Sequence, residues 1–185
     1  MGIIGKDFKY KLVKNFLTQD ERDILNIYCE MKHRTNSDSF DNQQMKGTMD
    51  TYFYADPLAE TILLKKISLM EKETGKKLLP TYSFWRMYTK YSELKKHTDR
   101  PSCEISATVN IGSDKTEWPF FADGQPLYLD EGDAVIYLGQ EVDHWREEFE
   151  GDWYAQCFLH YVDKNGKHAS HYRDKRPYWG IGKQI

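Results

Sequence analysis

The pattern of apolar and polar positions changes character near residue 77. Before it, apolar residues recur at helical spacing. Thr18-Gln-Asp-Glu21 reads as a capping box, with the Thr18 hydroxyl accepting from the backbone near Glu21 and the Glu21 carboxylate reaching back, so a helix starts there. Ile24, Leu25, Ile27, Tyr28 and Met31 carry it to about His33. Residues 34–47 are polar and rich in Asn, Asp, Ser and Gln, which predicts a loop, mobile or substrate-facing. A second helix opens with Asp56 as cap and Pro57 in its first turn. It runs through Leu58, Ile62, Leu63, Ile67 and Leu69 and stops at Gly75.

After Lys77, aromatic and β-branched runs are broken by short polar turns, the texture of an antiparallel sheet. Strands are expected at 82–90, 104–111, 118–121, 126–129, 133–138 and 153–162, and only strands from here on. Ala122-Asp-Gly124 and Asp130-Glu-Gly132 mark two of the turns. Two helices followed by a strand meander predict an α+β, mainly β fold: helices packed on one sheet of a β-sandwich or jelly roll. With 185 residues the chain fits one domain, 1–185. Its parts are a helical N-terminal support (1–76), a β core (77–163) and a basic C-terminal tail (164–185).

Composition narrows the function classes. Charged residues make up 30%, hydrophobic ones 39% and aromatics 15%, too much apolar surface for a disordered chain. A net charge of −3 gives no overall attraction for nucleic acid or an anionic membrane. Three cysteines, Cys29, Cys103 and Cys157, suit free thiols in a reducing compartment better than a disulfide framework. There is no apolar core of a signal peptide and no run long enough to span a bilayer, so a cytoplasmic protein is expected.

His97-Thr98-Asp99 places two ligand types two positions apart, on one side of an extended chain, and His144 follows beyond a strong strand. Two imidazoles and a carboxylate on one face of an iron leave three positions open, as a bidentate oxo-acid and dioxygen require. Alone, such a triplet is common by chance; its surroundings make it specific. In order come Trp85-Arg-Met-Tyr88, Leu94-Lys-Lys-His97-Thr-Asp99, Thr108-Val-Asn110, Gly132-Asp-Ala-Val-Ile-Tyr137, and His144 ahead of Gly151 and a long strand. Over residues 82–163 this resembles the prolyl hydroxylase-like branch of the Fe(II)- and 2-oxoglutarate-dependent dioxygenases. The resemblance implies a double-stranded β-helix of jelly-roll or cupin-like form. It also implies Fe(II) held by His97, Asp99 and His144, with 2-oxoglutarate and dioxygen as co-substrates and ascorbate as an optional reductant.

Within that resemblance, Tyr88 matches a strand tyrosine that hydrogen-bonds 2-oxoglutarate, although an ordinary core tyrosine fits equally well. The distal carboxylate of the co-substrate needs a cation, which the family supplies about nine or ten residues after the distal histidine, often two after a glycine. Here Gly151-Asp152 is followed by Trp153, whose indole offers one neutral donor. Arg146, two residues after His144, is the favoured replacement, with an ion pair to Glu147 or Glu148 as its alternative; Arg86, two before Tyr88, is the second candidate. Thr108 and Asn110 lie on a polar strand face that lines the pocket or meets solvent, and Thr108 is a candidate co-substrate contact. Arg100 is a candidate to grip a substrate carboxylate, or else an acidic partner in a structural salt bridge.

Other features carry less. His160, His168 and His171 read as surface residues. The tail's Lys164, Lys167, Arg173, Lys175 and Arg176 read as a solvated face. Tyr172, Tyr178 and Trp179 are expected to pin the terminus to the sheet, and Cys157 to be buried in the last strand. The expected activity is hydroxylation of a prolyl or other amino-acid side chain, free or peptidyl, with release of succinate and CO2. The expected partner is therefore an amino acid or peptide and not a nucleic acid. A cupin-like metal-dependent isomerase or hydrolase, and a non-catalytic binding module that keeps the fold, are the alternatives.

Overall fold

The computed structural model describes residues 8–35, 40–41 and 48–181. In chain order the elements are β1 (Tyr10–Val13), α1 (Gln19–Thr35), β2 (Phe40–Asp41), β3 (Asp50–Tyr54), α2 (Pro57–Lys65), α3 (Ile67–Thr74) and β4 (Leu78–Thr89). There follow β5 (Leu94–His97), β6 (Ile105–Ser113), β7 (Phe120–Ala122), β8 (Gln125–Leu127), β9 (Ala134–Tyr137), β10 (His144–Arg146) and β11 (Trp153–Asp163). Short 3-10 segments occupy Pro101–Cys103 and Ala169–Lys175.

Two antiparallel sheets form an open jelly roll, not a closed barrel. The major sheet runs β1-β9-β6-β11-β4-β3-β2 and the minor sheet β5-β10-β7-β8. The outer face of the major sheet packs on the helices: Trp85, Met87, Val109, Ile111, Cys157 and Leu159 meet Leu25, Cys29, Ile62, Leu63 and Met70 in the largest core. The inner face meets the minor sheet, where Val135 and Tyr137 pack on Leu94, Phe120, Ala122 and Val142. All three cysteines are free and buried. Among the described residues, no helix is long and apolar enough to cross a membrane.

The helix signals are realised atom by atom. Glu21 N–H donates to Thr18 Oγ1 at 3.3 Å while Thr18 N–H donates to Glu21 Oε2 at 2.8 Å, closing the capping box. Asp56 Oδ1 accepts from the N–H groups of Leu58 and Ala59, and Gly75 ends α3 at φ 71° in the left-handed region that glycine enters without steric cost.

Several expectations are corrected. The second helix is two, α2 and α3 meeting at Lys66 (φ −86°, ψ −2°), whose Nζ donates to Glu21 Oε2 at 2.6 Å. The buried line of α1 is Glu21, Leu25 and Cys29; Ile24, Ile27 and Met31 lie on the exposed side. That same Glu21–Lys66 contact, and Asn26 lying 3.0 Å from where a Cβ on Gly112 would sit, hold this rotation. The N-terminal part is not purely helical, since β1 pairs with β9 and β3 with β4. Nor is the remainder purely strand, given the two 3-10 segments. Of the expected 34–47 loop, Arg34 and Thr35 belong to α1 and Phe40–Asp41 to β2, and the rest lies outside the described residues. The tail is held less by its aromatics than by charge: Arg176 forms a buried pair with Glu60 and donates to Thr81 O at 3.1 Å. Tyr172 and Tyr178 are exposed, while Trp179 packs against the main core.

Candidate metal centre

Antiparallel pairing of β5 with β10 sets His97 directly opposite His144. Asp99 follows two residues after His97, its N–H donating to Gly139 O at 2.7 Å. Only glycine permits this approach, because a Cβ at 139 would lie 2.2 Å from Cys103 O and 2.5 Å from Asp99 Oδ2. Asp99 Oδ1 consequently stands 3.6 Å from both His97 Nε2 and His144 Nε2. Each imidazole is turned by its other nitrogen: His97 Nδ1–H donates to Lys95 O at 2.6 Å and His144 Nδ1–H to Val142 O at 2.9 Å. With Nδ1 so engaged, each ring turns its Nε2 toward Asp99, the arrangement in which metal-binding histidines are held by an outer hydrogen bond.

The electrostatics agree. Burial raises the pKa of the Asp99 carboxyl, but its interactions with the adjacent His144 and His97 rings outweigh it and hold the group well below its ordinary range. Burial pushes His97 down, and its bond to Asp99 more than reverses this. His144 is enclosed, its ring 4.7 Å from that of Tyr137 and 5.7 Å from that of Phe120. His97 is partly open to solvent. The three donors lie at a pocket of about 150 Å³ whose walls include Tyr82, Arg86, Tyr88, Phe158 and His160.

The two arginines differ in how their charge is met. Arg86 lines this pocket, but its Nε donates to Asp50 Oδ2 at 2.6 Å in a fully buried ion pair. Asp50 is itself fixed by Thr89 and Ser92. Arg146 is equally buried and meets no carboxylate among the described residues. One terminal nitrogen donates to Trp118 O and the other to Tyr154 Oη at 3.2 Å, its plane lies over the Trp118 and Tyr154 rings, and its Nε has no partner. The alternative pairing with Glu147 does not form; that carboxylate accepts from Trp145 Nε1.

Trp153 turns toward the helices and packs against the main core. Its neighbour Tyr154 is the inward residue, opposite Tyr88, and joins the aromatic cluster of Tyr88, Trp118 and Phe149. Arg146 lies over the ring of this inward Tyr154, yet it lines a neighbouring cavity with Leu94 and Trp145 and is not among the residues of the metal pocket, which Arg86 is. The polar face of β6 is interior: Thr108 accepts from Gln156 Nε2, and Asn110 Nδ2 donates to Leu129 O at 2.9 Å. Thr108 is thus engaged by Gln156 and does not belong to the wall of the metal pocket. Arg100 has found an acidic partner, donating to both oxygens of Asp174 at 2.9 and 2.8 Å and stacking on Tyr82.

His160 is the residue the sequence reading missed. It is buried, not on the surface, lines the metal pocket, and has Nδ1 2.8 Å from Ser106 Oγ. Desolvation lowers its pKa to about 4, so the ring is neutral at neutral pH. Its alternation with Tyr154, Gln156 and Phe158 along β11 is a signal that marks the inner face. His168 and His171 are half-buried, the latter with Nδ1 3.0 Å from Ser102 Oγ.

No protein-family model and no curated protein matches the chain. Solved structures do match. A prolyl-4-hydroxylase from Pseudomonas putida superposes with a TM-score of 0.65 at 15% identity, over 85% of this chain and 94% of that one. The non-heme α-ketoglutarate-dependent epimerase SnoN of nogalamycin biosynthesis gives 0.69 at 11% identity, over 85% and 80%. HygX from Streptomyces hygroscopicus, with nickel, 2-oxoglutarate and hygromycin B bound, gives 0.65 at 12% identity, over 86% and 85%. The chain has the jelly-roll fold of the 2-oxoglutarate- and Fe(II)-dependent oxygenases. Prolyl hydroxylases are among the structures that share it.

Proposed function

We propose that this chain is an Fe(II)- and 2-oxoglutarate-dependent oxygenase acting on a prolyl or other amino-acid side chain, with His97, Asp99 and His144 as iron ligands. The observation that carries the reading is the convergence of two tautomer-fixed Nε2 atoms and one anionic oxygen at 3.6 Å separations. Two imidazoles and a carboxylate are the donor set that suits a non-haem Fe(II) centre with open positions. When bound, iron and 2-oxoglutarate supply the oxygen-activating chemistry, with succinate and CO2 as the products of the co-substrate.

The protein's own residues prepare for this. Asp99 remains anionic across the physiological range, and Tyr137 and Phe120 shield His144 from water. Arg146 supports the co-substrate assignment, because a buried cation that meets no counter-charge among the described residues carries a desolvation penalty of several kcal/mol that an anionic ligand relieves. Arg86 is already compensated by Asp50, so Arg146 is the favoured anchor for the distal carboxylate. Tyr88 lies between the two, under the Arg86 guanidinium and edge-on to Trp118, as a polar wall for the same ligand.

Admitting oxygen to the iron-loaded protein with 2-oxoglutarate should release succinate even without substrate, and His144→Ala should abolish it. A gain of one oxygen in a candidate peptide or amino acid, read by mass spectrometry, identifies hydroxylation. Iron-loaded protein that produces no succinate under any substrate would instead favour a metal-dependent isomerase or hydrolase on the same ligands. The epimerase SnoN supplies the reason to assay carbon-centre inversion alongside hydroxylation.

A further inference from the structure

We infer that Asp99, Cys103 and His160 form a second cation site, joined to the first through the shared carboxylate and suited to a thiophilic divalent ion such as zinc. The Cys103 thiol, a ring nitrogen of His160 and a carboxylate oxygen of Asp99 lie within 4.8 Å of one another. Cys103 and His160 are almost wholly buried, at 1% and 5% exposure, so neither is a casual surface ligand.

The Asp99 carboxylate has two sides. Oδ1 stands between His97 and His144, whereas Oδ2 faces Ser106 Oγ at 3.4 Å, toward the residue that also contacts His160. One oxygen is therefore available to each set. The donor types differ as well: the first set has no sulfur, while the second offers a thiol that would bind as thiolate, an imidazole and a carboxylate, each a donor that zinc accepts.

The surroundings hold the second set in place. The turn Pro101–Cys103 is clamped by Arg100 and Ser102, which both donate to the buried Asp174. Tyr82 Oη lies 3.0 Å from Cys103 Sγ and can donate to the coordinated sulfur. Binding forms a metal–sulfur bond and releases the Cys103 thiol proton to solvent; no electron is transferred. Because Asp99 is common to both sets, an ion in the second lowers affinity for iron in the first, and the reverse holds by linkage.

The inference rests on these side chains and not on the co-substrate. The probe is cadmium, added under anaerobic conditions to reduced, metal-free full-length protein, with sulfur-to-metal ultraviolet absorption as the readout. One sulfur-bound ion per chain is expected. Cys103→Ser should abolish the band, Cys29→Ala and Cys157→Ala should retain it, and His160→Gln should weaken binding at least tenfold with near-ultraviolet circular dichroism unchanged. The His97→Ala/His144→Ala double variant should keep the band. Absence of a sulfur band in the wild type, its survival in Cys103→Ser, or its loss in the double variant overturns the second site. A sulfur band in a protein that never consumes 2-oxoglutarate would leave this inference standing while removing the oxygenase reading.

Discussion

The two faces of the major sheet are built to opposite ends. The outer face buries Trp85, Met87, Val109, Cys157 and Leu159 under helices, with apolar groups meeting apolar groups. The inner face of the same strands carries Tyr82, Arg86, Thr108, Gln156 and His160, polar and ionisable side chains that are all buried. Taking polar and charged groups out of water costs stability unless each is paired, so a buried face of this composition is not explained by packing alone. The alternation of β4 and β11 thus separates a face that stabilises the fold from one that holds chemistry.

The sharpest way to break this comparison is to remove a candidate ligand that the minor sheet sets against the inner face. His144→Ala should reduce Fe(II) affinity at least a hundredfold, measured by competition with a chelating dye, while thermal stability of the metal-free protein falls only modestly. The reverse experiment is Leu63→Ala on the helical layer, fully buried against the outer face. It should destabilise by about 2–5 kcal/mol in chemical denaturation, the range for a large-to-small change in a packed core. Fe(II) affinity should stay within about twofold of the wild type as long as the protein remains folded.

Arg146→Met sharpens the contrast further. Replacing a buried, uncompensated cation by an apolar side chain should leave the melting temperature unchanged or higher. The 2-oxoglutarate requirement should rise at least tenfold, a loss of about 1.4 kcal/mol in binding. A lower melting temperature with unaltered 2-oxoglutarate affinity would assign Arg146 to structure alone.

The smallest effect concerns the helical side. Burial alone would raise the pKa of Glu21, but Lys66, the Thr18 N–H and Lys65 hold it down to about 2, against 4.5 for an ordinary glutamate. A carboxylate whose folded pKa is depressed contributes stability above its unfolded pKa and loses that contribution as pH falls toward the folded value. The melting-temperature gap between wild type and Glu21→Gln should therefore be constant above about pH 5 and shrink between about 4.5 and 2. A gap independent of pH would remove the ion pair from the account.

Much of this was legible in the chain. The caps at Thr18 and Asp56, the stop at Gly75 and the long strands β4, β6 and β11 follow from local signals that act within a few residues. The grouping of His97, Asp99 and His144 was legible from residue type and order. Their strands were not, because β5 and β10 have only four and three residues, too few to show a period. The rotation of α1 depends on Lys66, 45 residues from Glu21 in the chain. The cage around Arg146 joins Trp118 and Tyr154 through pairing that no local pattern specifies. The alternation along β11 put His160 on one face with Tyr154, Gln156 and Phe158, but that this face is covered depends on β6 and β4 on either side.

The central claim is that His97, Asp99 and His144, which the minor sheet sets against the inner face of the major one, hold iron and that 2-oxoglutarate is presented to it there. Anaerobic addition of 2-oxoglutarate to the Fe(II)-loaded protein tests it most directly. A weak visible charge-transfer band should appear, saturate at one co-substrate per chain, vanish in His144→Ala and need at least tenfold more 2-oxoglutarate in Arg146→Met. Iron demonstrably bound, with no band at any 2-oxoglutarate concentration, would contradict it.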